Sequence, residues 1–241
     1  MARTIIAAGG GGFAMNPSGA PTALDAFILE RTGKARPKVC FLPTASGDSA
    51  SYVARFYRAF SRLDCIPTDL TIIESALPRQ PATPYDFAEF LDDQDVIYAS
   101  GGNTANALAI WRVQELSSEL RKAWERGAIL CGVSAGMVCW FENAVTDSFG
   151  SLDPLDDGLG ILPGSACPHY DNDTRRRPTY HRLIKDNDLP AGYAADDGAA
   201  LVFDGTTLAE VISERPNATA YRVELDASGA VVEQRLAART I

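Results

Sequence analysis

The chain has 241 residues, 46% hydrophobic and 22% charged, the balance of a protein that buries a core rather than staying disordered. Its formal net charge is −9, and the basic residues are scattered apart from Arg175-Arg176-Arg177, so the electrostatic footprint of a nucleic-acid-binding protein is missing. No stretch approaches the roughly 18 apolar residues of a membrane span, and the apolar start before the first glycines is too short for a signal h-region, so a cytoplasmic protein without membrane or nucleic-acid partners is expected.

The first two-thirds of the chain alternates short apolar runs with helical patterns. The runs Thr4–Ala8, Lys38–Leu42, Asp69–Ile73, Val96–Ala99 and Ile129–Val133 are hydrophobic almost throughout, as strands of a parallel sheet covered on both faces are. Between them, Leu24, Phe27 and Ile28, then Val53, Phe56, Tyr57 and Phe60, fall at helical spacing. Leu116–Arg126 repeats the pattern and meets Gly127, a helix stop ahead of the next strand. Strand, helix, strand in this order predicts an α/β fold, a mostly parallel sheet flanked by helices with ligands at the carboxyl ends of its strands. Beyond about residue 195 the texture changes. Runs beginning at Ala200, Ala209, Ala220 and Val231 are separated by Asp204-Gly205, Pro216-Asn217 and Ser228-Gly229, which predicts an antiparallel C-terminal extension of the same domain, 1–241.

Two glycine loops follow strands. Gly9 to Gly12 breaks the dinucleotide fingerprint at Asn16, so it reads as a permissive loop over the top of the sheet. Ser100-Gly101-Gly102-Asn103-Thr104 opens a helix over Ala105 to Arg112. Its backbone N–H groups suit an oxyanion, and a tight turn capped by Asn or Thr explains it equally well.

Gly132-Val133-Ser134-Ala135-Gly136 matches G-x-S-x-G after an apolar strand and before a run read as helical, Met137 to Glu142. In that setting small neighbours permit a strained turn that lifts the Ser134 hydroxyl above the sheet, with the Ala135 N–H facing an oxyanion. A neutral serine needs a base, and the chain has two histidines. His169 follows a Gly/Pro-rich loop, whereas His181 lies in a charged stretch and reads as a solvated helix position. Asp147 and Asp197 both qualify as the orienting acid, and each also reads as a turn residue bonding its own backbone. The five cysteines, odd in number and without C-x-x-C spacing, read as buried small hydrophobes rather than disulfides or a zinc site.

Gly101 to Thr104, Gly132 to Gly136, Cys167-Pro168-His169-Tyr170-Asp171 and Ala195-Asp196-Asp197-Gly198-Ala199-Ala200 occur in the order of the motifs of the peptidase E (aspartyl dipeptidase) and cyanophycinase family of serine peptidases, peptidase family S51, and the resemblance spans almost the whole chain. It is nearest the peptidase E-like branch. The resemblance implies a fold similar to class I glutamine amidotransferases, Ser134 as nucleophile, His169 as base, an oxyanion site near Gly102 and Ala135, and no metal or cofactor. It favours Asp197 over Asp147 as the acid. It further implies hydrolysis of dipeptides or short peptides, Asp-X among them, with Gly101 and Asn103 near the substrate and a homodimer as the assembly. An acidic substrate side chain needs a cation to meet it, and Arg175 is the candidate, with a solvated surface arginine as the plainer reading. An amidotransferase-like amidase would want cysteine at the elbow; an esterase, or a non-catalytic small-molecule binding protein on the same fold, is the remaining alternative.

Overall fold

The computed structural model describes residues 3–73 and 87–241. In chain order the first half runs β1 (Thr4–Ala8), α1 (Gly12–Met15), α2 (Ala23–Glu30), β2 (Lys38–Leu42), α3 (Ala50–Phe60), β3 (Ile66–Asp69), α4 (Phe87–Asp92), β4 (Val96–Ala99), α5 (Thr104–Val113), α6 (Leu116–Arg126), β5 (Ile129–Val133) and α7 (Ala135–Val138). The second half is mostly strands: β6 (Phe141–Thr146), β7 (Asp153–Leu155), β8 (Leu162–Cys167), α8 (Arg176–Lys185), β9 (Gly192–Ala195), β10 (Ala199–Asp204), β11 (Thr207–Ser213), β12 (Ala220–Leu225), β13 (Val231–Arg235) and β14 (Ala238–Thr240).

These strands form two sheets. The larger has the order β14-β11-β10-β1-β5-β4-β2-β3. Its strands from β1 to β3 are parallel, and β10 and β11 extend it antiparallel beyond β1. The smaller has the order β13-β12-β9-β8-β6-β7. The antiparallel C-terminal extension is therefore present but divided, since β12 and β13 join the second sheet rather than the first.

Continuous apolar strands need cover on both faces, and alternate side chains supply it. Ile5 and Ala7 of β1, Cys40 and Leu42 of β2, and Leu130 of β5 enter the core shared with α5, α6, α7 and the second sheet. Ile6, Ala8, Val39, Phe41 and Cys131 enter the opposite core, under α1, α2 and α3. There Phe13, Phe41, Tyr52, Phe56, Phe60 and Tyr98 form one aromatic cluster with ring centroids about 4.5 to 6 Å apart. A third core lies between α8 and the second sheet.

Two expected elements differ. The strand expected at Asp69–Ile73 lies earlier, at Ile66–Asp69, and contains Pro67. It is the last strand of its sheet, where a residue without an N–H is tolerated. Leu70 and Ile72 are buried all the same, with the Asp48 carboxylate accepting the N–H groups of Ile72 and Ile73. The run Met137 to Glu142 is not one helix: α7 stops at Val138 and the chain enters β6 at Phe141. Trp140 and Phe141 are fully buried, and a short apolar run buried all round carries no period to tell helix from strand.

Candidate active site

Ser134 sits between β5 and α7 with φ 57° and ψ −112°, a left-handed conformation that costs a non-glycine residue about 1–3 kcal/mol. Its N–H donates to the carbonyl of Ala8 at 3.1 Å and its carbonyl accepts from Val138 at 3.1 Å, so neighbouring strand and following helix hold the turn shut. The flanking glycines follow from the same closeness. A Cβ on Gly132 would lie 2.4 Å from the Ala99 carbonyl oxygen, and one on Gly136 would lie 2.1 Å from it. The G-x-S-x-G spacing thus records one carbonyl of β4 pressed against both sides of the elbow.

His169 also has a left-handed backbone, φ 54°. It follows β8 in the second sheet, and its N–H donates to the Gly9 carbonyl at 3.2 Å, tying it to the end of β1 in the first. Its Nε2 stands 2.8 Å from Ser134 Oγ and its Nδ1 stands 2.6 Å from Asp197 Oδ1. Asp197, between β9 and β10, is buried and receives Asn172 Nδ2 on its other oxygen at 2.8 Å. Its N–H donates to Asp171, whose carboxylate also takes Arg215. Burial pushes the Asp197 carboxyl up, but the bond and charge of His169, the bond from Asn172 and the charge of Arg215 outweigh it, and the net shift is below the ordinary carboxylate value.

The first glycine run makes room for this acid. A Cβ on Gly10 would lie 2.1 Å from Asp197 Oδ1, and the Gly10 carbonyl accepts the Gly198 N–H at 2.9 Å. Glu214 pins the far end of the run, one carboxylate oxygen accepting from Gly12 at 2.8 Å and the other from Leu24 at 3.1 Å, so a single side chain serves the first turns of α1 and α2. Beside it Asp25 is fully buried, and burial, with the nearby charge of Glu214, outweighs bonds from Thr22 and Phe13 to raise its pKa to about 7.

The other expected residues separate into two groups. Gly101 lines the cleft beside Ser134, and a Cβ on it would lie 3.5 Å from the Ser134 Cβ. Neither Gly102 nor Ala135 gives its N–H to another protein group among the described residues, which leaves both free for an oxyanion. Asn103 is occupied elsewhere: its oxygen caps α5 by accepting from Asn106 at 2.9 Å, and its nitrogen donates to the Ser148 carbonyl. Both readings of this loop are realised at once, glycines facing the site and asparagine capping the helix. Asp147 pairs with Arg176 at 3.2 Å and makes no bond to His169. Arg175 points away, exposed and held by two bonds to Asp173. His181, in α8, bonds Tyr170 and Glu233. All five cysteines are free and buried, and burial holds the thiols of Cys131 and Cys139 far above their ordinary value, so neither supplies a thiolate at the elbow.

The Ser134 hydroxyl and the His169 ring open into a cleft of about 490 Å³. One wall is α3 and the turn before it, with Ser46, Ser49, Tyr52 and Arg55; Met15 stands on the other side. Asn172, Glu214, Tyr52 and Arg55 were missing from the sequence reading. Asn172 belongs to the same polar loop as His169, a usable signal, whereas nothing in α3 marks its outer flank as facing β5. Among the described residues no cluster of three or more His, Cys, Asp or Glu is placed to hold a metal ion. No helix among them is long and apolar enough to cross a membrane.

A serine on a strained strand-to-helix turn, bonded to a histidine that is bonded to a buried carboxylate, is the arrangement of a serine hydrolase. The comparisons narrow that class: residues 5–211 match the model of peptidase family S51, and the chain belongs to that family and is a serine-type peptidase. It is 49% identical over 221 residues, 92% of each chain, to the uncharacterized peptidase YgaJ of Bacillus subtilis (strain 168). A crystal structure of a peptidase from an acI-B1 actinobacterium shares the fold, with TM-score 0.73 and 21% identity over 98% of this chain and 94% of the other. So does a putative peptidase E protein from Listeria monocytogenes EGD-e, with TM-score 0.59 and 18% identity over 98% of this chain and all of the other.

Proposed function

We propose that the protein hydrolyses dipeptides or short peptides, Asp-X among them, through an acyl-enzyme formed on Ser134. The observation that carries the reading is the unbroken chain from Ser134 Oγ to His169 Nε2 at 2.8 Å and from His169 Nδ1 to Asp197 at 2.6 Å. His169 Nε2 takes the hydroxyl proton as Oγ bonds to the scissile carbonyl carbon, and Asp197 keeps the proton on Nδ1 and stabilises the imidazolium that results. The carbonyl oxygen, now negative, accepts from the N–H groups of Gly102 and Ala135. As the C–N bond breaks, His169 returns its proton to the leaving amine. Water, deprotonated by the same histidine, then attacks the ester, frees the acid and restores Ser134.

A cleft of about 490 Å³ suits a short substrate rather than a folded chain. Five free cysteines fit a reducing, cytoplasmic setting. Replacing Ser134 by Ala is expected to lower peptide hydrolysis by about 10⁴-fold or more with the melting temperature preserved. Hydrolysis by the variant within tenfold of wild type would remove the assignment.

A further inference from the structure

The cleft contains a cation that no protein group neutralises. Arg55 lies on its wall, half-buried, three residues after Tyr52 and so on the same side of α3. One of its terminal nitrogens donates to the Asn16 carbonyl. Its Nε is shut off from solvent and bonds nothing. No carboxylate among the described residues pairs with it, although the chain carries 31 acidic residues against 22 basic ones. Arg175, Arg176 and Arg177 around the neighbouring loop all have acidic partners, and Arg55 is the single Lys or Arg among the residues that line this cleft.

Arg55 also connects to the reacting serine. The Tyr52 hydroxyl lies against Gly101, where a Cβ would be 3.9 Å from it and 3.5 Å from the Ser134 Cβ. Burial pushes the Tyr52 hydroxyl up to about 12, and the Gly101 N–H and the charge of Arg55 act in the opposite sense, so Tyr52 stays neutral and leaves the guanidinium uncompensated. Ser134, Gly101, Tyr52 and Arg55 thus succeed one another along one wall. Ser46 and Ser49 add hydroxyls to it.

A half-buried guanidinium with unused donors is costly unless something in the cleft accepts them, and a carboxylate does so with two parallel bonds. We infer that Arg55 binds a carboxylate of the substrate and selects for it. The inference rests on Ser134 being the nucleophile, since that fixes which cleft receives the peptide. Two substrate carboxylates share this chemistry, an acidic side chain on the residue whose carbonyl is attacked and the terminal carboxylate of a dipeptide.

The test is a set of four substrates, Asp-Leu, Asn-Leu and the C-terminal amide of each, hydrolysed by wild type, Arg55→Gln and Arg55→Lys. Ratios of kcat/KM between substrates within one variant are compared, so a change in folded fraction cancels. Wild type is expected to prefer the carboxylate-bearing member of the relevant pair by about 10- to 100-fold. Arg55→Gln should abolish that preference and Arg55→Lys should retain part of it. Loss of the Asp over Asn preference assigns the side chain; loss of the free acid over amide preference assigns the terminus. Wild-type preferences unchanged in both variants, or no carboxylate preference in wild type, would overturn the inference. Labelling of wild-type Ser134 by an uncharged fluorophosphonate separates this from failure of the nucleophile assignment, because a wild-type protein that neither labels nor cleaves any of the four refutes the latter.

Discussion

The two sides of the site are held by different physics. Ser134 is fixed by backbone: a strand end, a one-turn helix and two glycines against one carbonyl, all in the dry core of the larger sheet. His169 and Asp197 come from loops around the smaller sheet, fixed by side-chain bonds to Asn172 and Asp171, with Arg215 behind them. Steric closeness contains nothing that titrates, whereas a network of carboxylates responds to every proton it gains. The nucleophile's geometry should therefore be sensitive to volume and the base's to charge.

Asp197→Asn is the strongest way to break the polar side. It keeps the shape and removes the charge that holds the imidazole with Nδ1 protonated, so kcat is expected to fall by about 10³- to 10⁴-fold. A steady-state assay on a folded variant checks this, and a loss under tenfold would pass the acid's role to another group. Gly136→Ala is the matching break on the steric side. Its Cβ would lie 2.1 Å from the Ala99 oxygen, so β4 or α7 must shift, at a cost of about 1–3 kcal/mol. A lower urea midpoint with an unchanged slope is the expected result, and an unchanged midpoint would mean the elbow is looser than its contacts imply.

The same division decided what could be read from the sequence. Strands β1, β2, β4 and β5 stand where their apolar runs lie, because burial on both faces leaves a local signal. The elbow was legible for a similar reason, its glycines and its serine being five consecutive positions. His169 could be chosen because only two histidines exist. The second sheet was not legible: β12 and β13 look like any antiparallel strands, and which sheet they join depends on contacts far along the chain. Arg175 was misjudged for the converse reason. It is near His169 in sequence, but the first turn of α8 carries it outward to Asp173, while Arg55, more than a hundred residues from His169, lines the cleft.

Asn172→Ala is the finest probe of the difference, and its value lies in its pH dependence. Asp197 has a folded pKa below its ordinary value, so its ionised form stabilises the fold at pH values above the unfolded pKa of about 4, and that contribution is lost as pH falls through the folded value. Removing the 2.8 Å bond from Asn172 should then cost about 0.5–1.5 kcal/mol at pH 7 and less at pH 3, where the carboxyl approaches neutrality in either state. Gly136→Ala contains no titrating group, so its cost should be equal at the two pH values. Urea titrations of both variants at pH 3 and pH 7 make the comparison directly. An Asn172→Ala cost as large at pH 3 as at pH 7 would show Asn172 acting by packing, which would leave His169 and Arg215 to hold the Asp197 charge.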